Sequence, residues 1–246
     1  MQYFLKFSGY LLVLLLAGLW LKPQATFDSV PVMAHPWALK STVLNETLKP
    51  QKLQKSTNGH YQFSATSELI NVTPRMLHWF YQNQIQNKLT FNGQSLPWFK
   101  LAQPRTLSNL FIVTSPEPQN NRLLHGVVFQ EQSSFDDEQW QMRYKIRSFG
   151  DEGLTLDVLH AGYAIGSIEY KYTANKNGTS IQINGSMGMN VPIIGDFANF
   201  YLFNKVYPSR LLDDWFKSTL ESYGHMDQLI PILYSQKHKA SYSINS

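Results

Sequence analysis

The chain has 246 residues, of which 43% are hydrophobic, so it is long enough to bury one sizeable core. It contains no cysteine, which excludes disulfides, thiolate zinc sites and cysteine nucleophiles. Its formal net charge of +4 is small, and its lysines and arginines form no dense cluster, so we expect no nucleic-acid partner.

The N-terminus carries an apolar run that is typical of exported proteins. Residues 10–21 (YLLVLLLAGLWL) follow a single Lys6 and end at Lys22-Pro23. Residues 3–21 are just long enough to span the hydrocarbon core of a bilayer if Lys6 snorkels. We therefore expect residues 1–23 to form an uncleaved signal-anchor, with a cleaved signal peptide as the alternative. The protein would then lie in the cell envelope, anchored to the membrane with its domain on the non-cytoplasmic side, or be secreted after cleavage.

The next segment, residues 24–69, has little hydrophobic periodicity and contains several prolines. It includes the polar run KPQKLQKSTNGH over residues 49–60. Such a composition is typical of a linker or of an extended arm that packs over a domain.

A helix and then a series of strands are predicted over the middle of the chain. Thr73 and Pro74 are a capping residue and a first helical residue, and an amphipathic pattern follows them. Runs of strand character, separated by turn signals, then cover residues 107–114, 123–130, 139–147, 154–160, 163–174 and 179–189.

The C-terminal part contains the strongest helical pattern, over residues 208–234. Apolar residues recur there at the three-to-four-residue spacing of one helical face, namely Leu211, Leu212, Trp215, Phe216, Leu220 and Tyr223. Gly224 interrupts the pattern, which restarts at Leu229, so we predict a long helix that is broken once.

This order of elements predicts an α+β fold of the START-like helix-grip type, with a curled antiparallel sheet around a long C-terminal helix. A β-sandwich would explain the strands but not the terminal helix. We assign residues 70–238 to this domain and residues 239–246 to a tail. In such a fold the helix and sheet enclose an apolar cavity. We expect the cavity to be lined by aromatic and aliphatic side chains of the two helices: Trp79, Phe80, Leu212, Trp215, Phe216 and Tyr223.

No motif of a known chemistry stands out along the chain. The sequence has no glycine-rich phosphate loop, no nucleophile elbow and no His-Glu-x-x-His helix. The histidines are scattered, and those that could reach a cavity are His78, His125, His160 and His225.

Three segments resemble the diacetylphloroglucinol hydrolase and phloretin hydrolase family. Residues 73–80 (TPRMLHWF) are similar to the Thr-Pro-x-Met-x-x-Trp-Trp opening of that family, and residues 99–104 (FKLAQP) to its Lys-Leu-Trp-His-Pro segment. Trp215 and residues 224–234 (GHMDQLIPILY) are similar to its C-terminal signature. The resemblance covers residues 70–236 and implies a START-like domain. In that family a zinc ion, held by two His and two Glu, activates water to cleave an aryl–acyl carbon–carbon bond.

The resemblance also implies where the zinc ligands would lie in this chain. The first His position falls on Gln103, the C-terminal His and Glu positions fall on Ser218 and Ser222, and the remaining Glu corresponds to Glu131. Amides and hydroxyls are weak zinc donors. We therefore expect no cofactor, with zinc only if the family site is functional.

Three hypotheses follow from these observations. The first is an envelope-anchored START-like domain that binds a hydrophobic or aromatic small molecule and has lost its metal site, and is thus not an enzyme. The second is an active metal-dependent hydrolase that cleaves an aryl-ketone carbon–carbon bond with rearranged ligands, in which Glu131 would join some of His125, His160, Glu169, Glu221 and His225. The third is a structural or interaction protein at the membrane.

Overall fold

The computed structural model describes residues 52–91, 93–135, 138–191, 194–239 and 241–244. The predicted signal segment, residues 1–23, lies outside these residues, as does the part of the predicted arm before residue 52. Among the helices described, none combines the length and the apolar character that a membrane crossing requires.

The largest unit within the described residues is one antiparallel sheet of eight strands. Its strands are β1 (Lys52–Lys55), β2 (Tyr61–Ile70), β5 (Leu107–Thr114), β6 (Val128–Phe135), β7 (Glu138–Gly150), β8 (Gly153–His160), β9 (Tyr163–Asn175) and β10 (Gly178–Met187). They are arranged in the order β1-β2-β10-β9-β8-β7-β6-β5, and every neighbouring pair is antiparallel. Buried and accessible residues alternate along most strands, which places one face of the sheet against the core.

Four helices and a second, small sheet complete the domain. The helices are α1 (Pro74–Asn83), α2 (Trp98–Ala102), α3 (Ile194–Tyr201) and α4 (Ser209–Ser235), and a π-helical turn over Leu202–Val206 follows α3. The small sheet contains β3 (Lys88–Phe91), β4 (Gln94–Pro97) and β11 (Tyr242–Ile244). As predicted, Thr73 caps α1: its hydroxyl accepts a hydrogen bond from the Met76 backbone N–H.

Helix α4 lies against the buried face of the large sheet. Phe63 on β2 contacts the rings of Trp215 and Phe216 on α4, with ring centroids 5.7 and 5.0 Å apart. On another part of the sheet, Trp140 on β7 stacks with Trp215 at 6.5 Å. The sheet therefore holds α4 from several strands, and this confirms the predicted helix-grip arrangement.

The predicted break in α4 is wrong. The helix runs for 27 residues without interruption, and both Gly224 and Pro231 lie inside it. A glycine costs a helix only about 1 kcal/mol relative to alanine. The buried residues on either side, Tyr223 and Met226, are held in the core, and their packing outweighs this cost.

The predicted arm over residues 24–69 also differs from the structure where it is described. Residues 52–55 and 61–70 are strands, and β2 lies inside the sheet between β1 and β10. Its inward positions include Ala65, which is small, and Ser67, which is polar. Both residues weaken the alternation of large apolar residues that marks a strand.

The predicted C-terminal tail is likewise partly structured. Residues 242–244 pair with β3 as the strand β11. The side chain of Gln236 fastens this segment to the end of α4, because it accepts a hydrogen bond from Ser243 N–H and donates one to the Ser243 carbonyl.

Candidate functional site

A cavity lies between the buried face of the large sheet and helix α4. Its volume is about 80 Å³. A cavity of about 150 Å³ holds benzene in an engineered protein, so this one fits a more compact group unless its walls move.

The walls of the cavity are mainly apolar and rich in aromatic rings. Seven of the twenty lining residues are aromatic: Tyr81, Phe99, Phe129, Tyr144, Phe149, Tyr170 and Trp215. The other apolar residues are Ala102, Leu107, Leu110, Leu123, Ile146, Leu154, Leu156 and Met226, and the polar ones are Gln84, Gln103, Glu131, Thr219 and Ser222. An apolar lining with a few polar groups is typical of a small-molecule site.

Helix α4 provides one side of the cavity through a regular stripe. Trp215, Thr219, Ser222 and Met226 are spaced by four, three and four residues, which places them on one face of the helix. The Thr219 hydroxyl is turned back onto the helix, where it donates a 3.0 Å hydrogen bond to the Trp215 carbonyl.

Among the described residues, Glu131 is the only carboxylate that lines this cavity. The Tyr144 hydroxyl donates a 3.1 Å hydrogen bond to Oε2, and the Ser133 hydroxyl donates a 3.1 Å hydrogen bond to Oε1. The indole N–H of Trp215 also favours the ionised carboxylate, although it does not reach hydrogen-bond geometry. None of the lining residues is a lysine, arginine or histidine.

The surroundings of Glu131 change its ionisation. Burial raises the pKa of the Glu131 carboxyl above its ordinary value of 4.5, and the hydrogen bonds from Ser133 and Tyr144 and the nearby Trp215 indole oppose this change. The pKa of the Tyr144 hydroxyl is raised well above 10, first by burial and then by the Glu131 charge. Tyr144 therefore stays a neutral donor, and none of the described residues that line the cavity is a cation that could balance the carboxylate.

The four positions implied by the family resemblance lie close to this cavity. Gln103, Glu131 and Ser222 line it, and Ser218 lines a small crevice of about 10 Å³ that adjoins it. The crevice and the cavity share Ala102, Gln103 and Ser222 as a common wall. Ser218 forms a hydrogen bond with the Thr106 hydroxyl.

The chemistry of these four side chains does not fit a zinc ion. They offer one carboxylate, one amide and two hydroxyls, whereas zinc sites use imidazole, thiolate and carboxylate donors. Among all the described residues, no group of three or more His, Asp or Glu side chains is placed to hold a metal ion.

The structure does not bring the alternative ligands together with Glu131. His125 is exposed in the turn before β6, and Glu169 is exposed on β9. His160, at the end of β8, packs against the rings of Tyr201 and Tyr207.

The last two alternatives lie in the crevice. Glu221 pairs with Arg105, and His225 Nδ1 lies 3.0 Å from the Ala102 carbonyl. The second hypothesis needs at least three of these side chains around one point with Glu131, and the described residues do not provide them.

Of the six residues predicted to line the cavity, only Trp215 does so. Leu212, Phe216 and Tyr223 are buried in the core, while Phe80 stacks on Trp98 and Trp79 packs against Trp98 and Tyr234. The prediction chose the right two helices, since Tyr81 on α1 and Trp215 on α4 line the cavity, but mostly the wrong residues on them.

The polar centre of the cavity is formed by strand residues that the sequence analysis did not predict. Tyr144 and Tyr170 occupy inward positions of β7 and β9 and line the cavity beside Glu131. The signal that could have found Tyr144 is the alternation Trp140, Met142, Tyr144, which marks one face of a strand.

Comparison with known proteins gives fold neighbours only. No protein-family model matches the chain, and no curated protein is similar to it in sequence. Similar structures include Ara h 8.0201 (12% identity, TM-score 0.45, covering 70% of this chain and 98% of that one). Protein Ms6760 from Mycobacterium smegmatis is 11% identical with a TM-score of 0.48, covering 74% of this chain and 96% of that one. Major latex-like protein 151 from Panax ginseng is 12% identical with a TM-score of 0.41, covering 68% of this chain and 97% of that one. These TM-scores are below 0.5, so the helix-grip assignment rests on the topology of this chain itself.

Proposed function

We propose that this chain is a binding protein that holds a compact hydrophobic or aromatic small molecule in the cavity beneath α4. The observation that carries this proposal is the cavity itself, an aromatic-rich chamber with one carboxylate at its wall. A protein core is normally packed without voids of this size. The retained helix-grip scaffold, with the family's zinc positions occupied by Gln103, Ser218 and Ser222, supports binding rather than metal-dependent hydrolysis.

The methionine methyl groups provide a direct test of this proposal. The chain has seven methionines, and Met226 lines the cavity while Met76 on α1 does not. With methyl-labelled methionine, we expect compact apolar compounds to shift the Met226 resonance saturably and to leave Met76 unchanged. Binding that moves Met76 and not Met226 would contradict the proposed site.

The location of the protein is part of the proposal. The apolar run at residues 10–21 supports an envelope protein that is anchored to the membrane, with the binding domain on the non-cytoplasmic side. Cell fractionation and mass spectrometry of the isolated protein would test it. An intact Met1 in the membrane fraction supports the anchor, whereas a chain that begins near residue 24 in the soluble exported fraction supports a cleaved signal. Recovery from the cytoplasm would contradict both.

One surface feature favours contact with the membrane as a second candidate function. Phe197 and Phe200 on α3 expose 77% and 62% of their surface, and neither residue lines the cavity. Two aromatic rings one helical turn apart, on a chain with net charge +4, suit an anionic bilayer surface. The cysteine-free chain allows an environment-sensitive fluorophore at Phe197→Cys. We expect its emission to shift to the blue when the full chain is reconstituted in anionic vesicles, and a label at Glu169→Cys to stay in water. Equal emission from both labels would contradict this candidate.

A further inference from the structure

The chemical character of the ligand follows from what surrounds Glu131, provided that the proposed binding function holds. A carboxylate that leaves water loses its hydration, and this loss must be balanced by a nearby cation, by hydrogen bonds or by protonation. In this cavity each carboxylate oxygen accepts one hydroxyl hydrogen bond, from Ser133 and Tyr144 respectively. The lining residues include no basic side chain. The wall therefore orients the carboxylate but provides no positive charge for it.

The aromatic rings next to Glu131 would add to the binding of a cation. Phe129 and Tyr144 stack at 5.0 Å on the strands beside the carboxylate, and Trp215 lies across the cavity on α4. Aromatic faces attract cations, and the attraction is stronger in sites that exclude water. A carboxylate framed by aromatic rings is thus complementary to an ammonium group that is attached to an apolar body.

The size of the cavity points in the same direction. Its volume of about 80 Å³ suits a compact group rather than the whole of a large lipid or a polycyclic ligand. An ammonium head with a short apolar substituent would fit beside Glu131. A longer apolar part would have to extend past residues at the edge of the cavity, or displace them.

We propose that the natural ligand of this cavity is a small organic amine, bound as an ammonium ion by the Glu131 carboxylate and the surrounding aromatic rings. Ser133 and Tyr144 are positioning residues in this arrangement, because they hold the two carboxylate oxygens and leave the remaining lone pairs free to accept from the ammonium N–H groups. The ammonium replaces the water that the carboxylate loses and balances its charge.

The test compares propylammonium with propanol, which has nearly the same shape but no charge, and with butanone, which offers only an acceptor. Binding of each compound to the full chain is followed at pH 7.5 by the Met226 methyl resonance. We expect propylammonium to bind at least about tenfold more tightly than the other two, because a charge pair in a site that excludes water adds to the affinity. Its binding should also lower the pKa of Glu131 in a carboxyl-carbon NMR titration, because a bound cation favours the ionised carboxylate.

Two variants separate charge from shape. Glu131→Gln keeps the volume of the side chain and removes its charge, and we expect it to abolish the preference for the amine while the alcohol still binds. Glu169→Gln removes an exposed carboxylate on β9 and should leave the preference unchanged. Tighter binding of butanone or equal affinity for all three would overturn the inference but leave the proposed binding function intact. An amine preference that survives in Glu131→Gln would also overturn the inference and leave the proposed binding function intact. Failure of all three compounds to move Met226 would overturn both.

Discussion

The Tyr144 hydroxyl donates a 3.1 Å hydrogen bond to the Glu131 carboxylate, and the two residues reach each other across neighbouring strands of the sheet. Glu131 is paired in register with Met142, so Tyr144 is its diagonal neighbour on the same face. This single contact fixes the polar centre of an otherwise apolar cavity. Because the folded structure changes the pKa of Glu131, its ionisation can be followed through the free energy of unfolding.

The first prediction concerns the pH dependence of stability. Burial raises the pKa of Glu131 in the folded chain above 4.5, so the folded state binds this proton more tightly than the unfolded state does. The free energy of unfolding should therefore fall as the pH rises from 4.5 through the folded pKa. We expect Glu131→Gln to remove this part of the pH dependence, so that the variant gains stability over the parent as the pH rises.

Urea denaturation between pH 4 and pH 8 measures this difference. Each pH unit by which the folded pKa exceeds the unfolded one corresponds to about 1.4 kcal/mol at high pH. The exposed Glu169→Gln is the control and should follow the parent throughout. If the free energies of unfolding of Glu131→Gln and the parent changed in parallel with pH, the Glu131 carboxyl would not be desolvated.

The second prediction concerns the hydroxyl of Tyr144. Tyr144→Phe removes a donor that stabilises the ionised carboxylate, so we expect the pKa of Glu131 to rise further and the stability at pH 7 to fall by about 1 kcal/mol. A carboxyl-carbon NMR titration measures the pKa, and thermal denaturation measures the stability. The matched control is Tyr172→Phe, since the Tyr172 hydroxyl is buried without a hydrogen-bond partner among the described residues. Its removal should cost nothing. An unchanged Glu131 pKa in Tyr144→Phe would mean that the hydrogen bond does not form.

The third prediction concerns the contact between Gly185 and Phe63. The two residues face each other on β10 and β2, and a Cβ at position 185 would lie 2.2 Å from two ring atoms of Phe63. Since Phe63 is held by Trp215 and Phe216, its ring has little room to move. We expect Gly185→Ala to cost about 1–3 kcal/mol by urea denaturation. Gly150→Ala meets no atom within 4 Å and should be close to neutral, and equal stabilities for the two variants would contradict the tight packing of α4 on β2.

The fourth prediction concerns Asn199, which fixes α3 to the end of the sheet. Its buried side chain accepts a hydrogen bond from Met189 N–H and donates to the carbonyls of Met189 and Asn58. Asn199→Leu leaves these backbone groups without that partner, and we expect a loss of roughly 2–4 kcal/mol in the free energy of unfolding. Asn204→Leu, at an exposed position, should change it by less than about 0.5 kcal/mol. Similar losses in both variants would contradict the role of Asn199.

The sequence predicted the architecture better than it predicted the site. The long apolar stripe of α4 and the alternating runs of the later strands are repeated local signals, and they were enough to predict a helix-grip fold. The sequence did not predict strand β2, because small Ala65 and polar Ser67 weaken its apolar face. The sequence did not predict that α4 continues through Gly224, because tertiary packing outweighs the local preference of one residue.

The composition of the cavity depends on long-range contacts that no local pattern contains. Glu131, Tyr144 and Trp215 come from two strands and a helix, and their meeting depends on strand register and on the rotation of α4. Gln103, Glu131 and Ser222 line this cavity, although they are far apart in the sequence. Whether an apolar residue of α4 faces the cavity or the core is decided by small rotations of the helix, and this is why Phe216 and Tyr223 were assigned to the cavity wall.

The measurement that tests the central claim most directly is ligand binding to a pair of variants at Thr219, which lines the cavity on α4. Thr219→Phe places a ring in the cavity, while Thr219→Val keeps the volume of the side chain and loses only its hydrogen bond to the Trp215 carbonyl. Calorimetric titration of both variants and the parent with propylammonium compares a filled cavity with an open one. We predict that Thr219→Val binds within about threefold of the parent, because it leaves the cavity open, and that Thr219→Phe loses binding because its ring fills the cavity. Undiminished binding by a folded Thr219→Phe would contradict the claim that the ligand occupies this cavity.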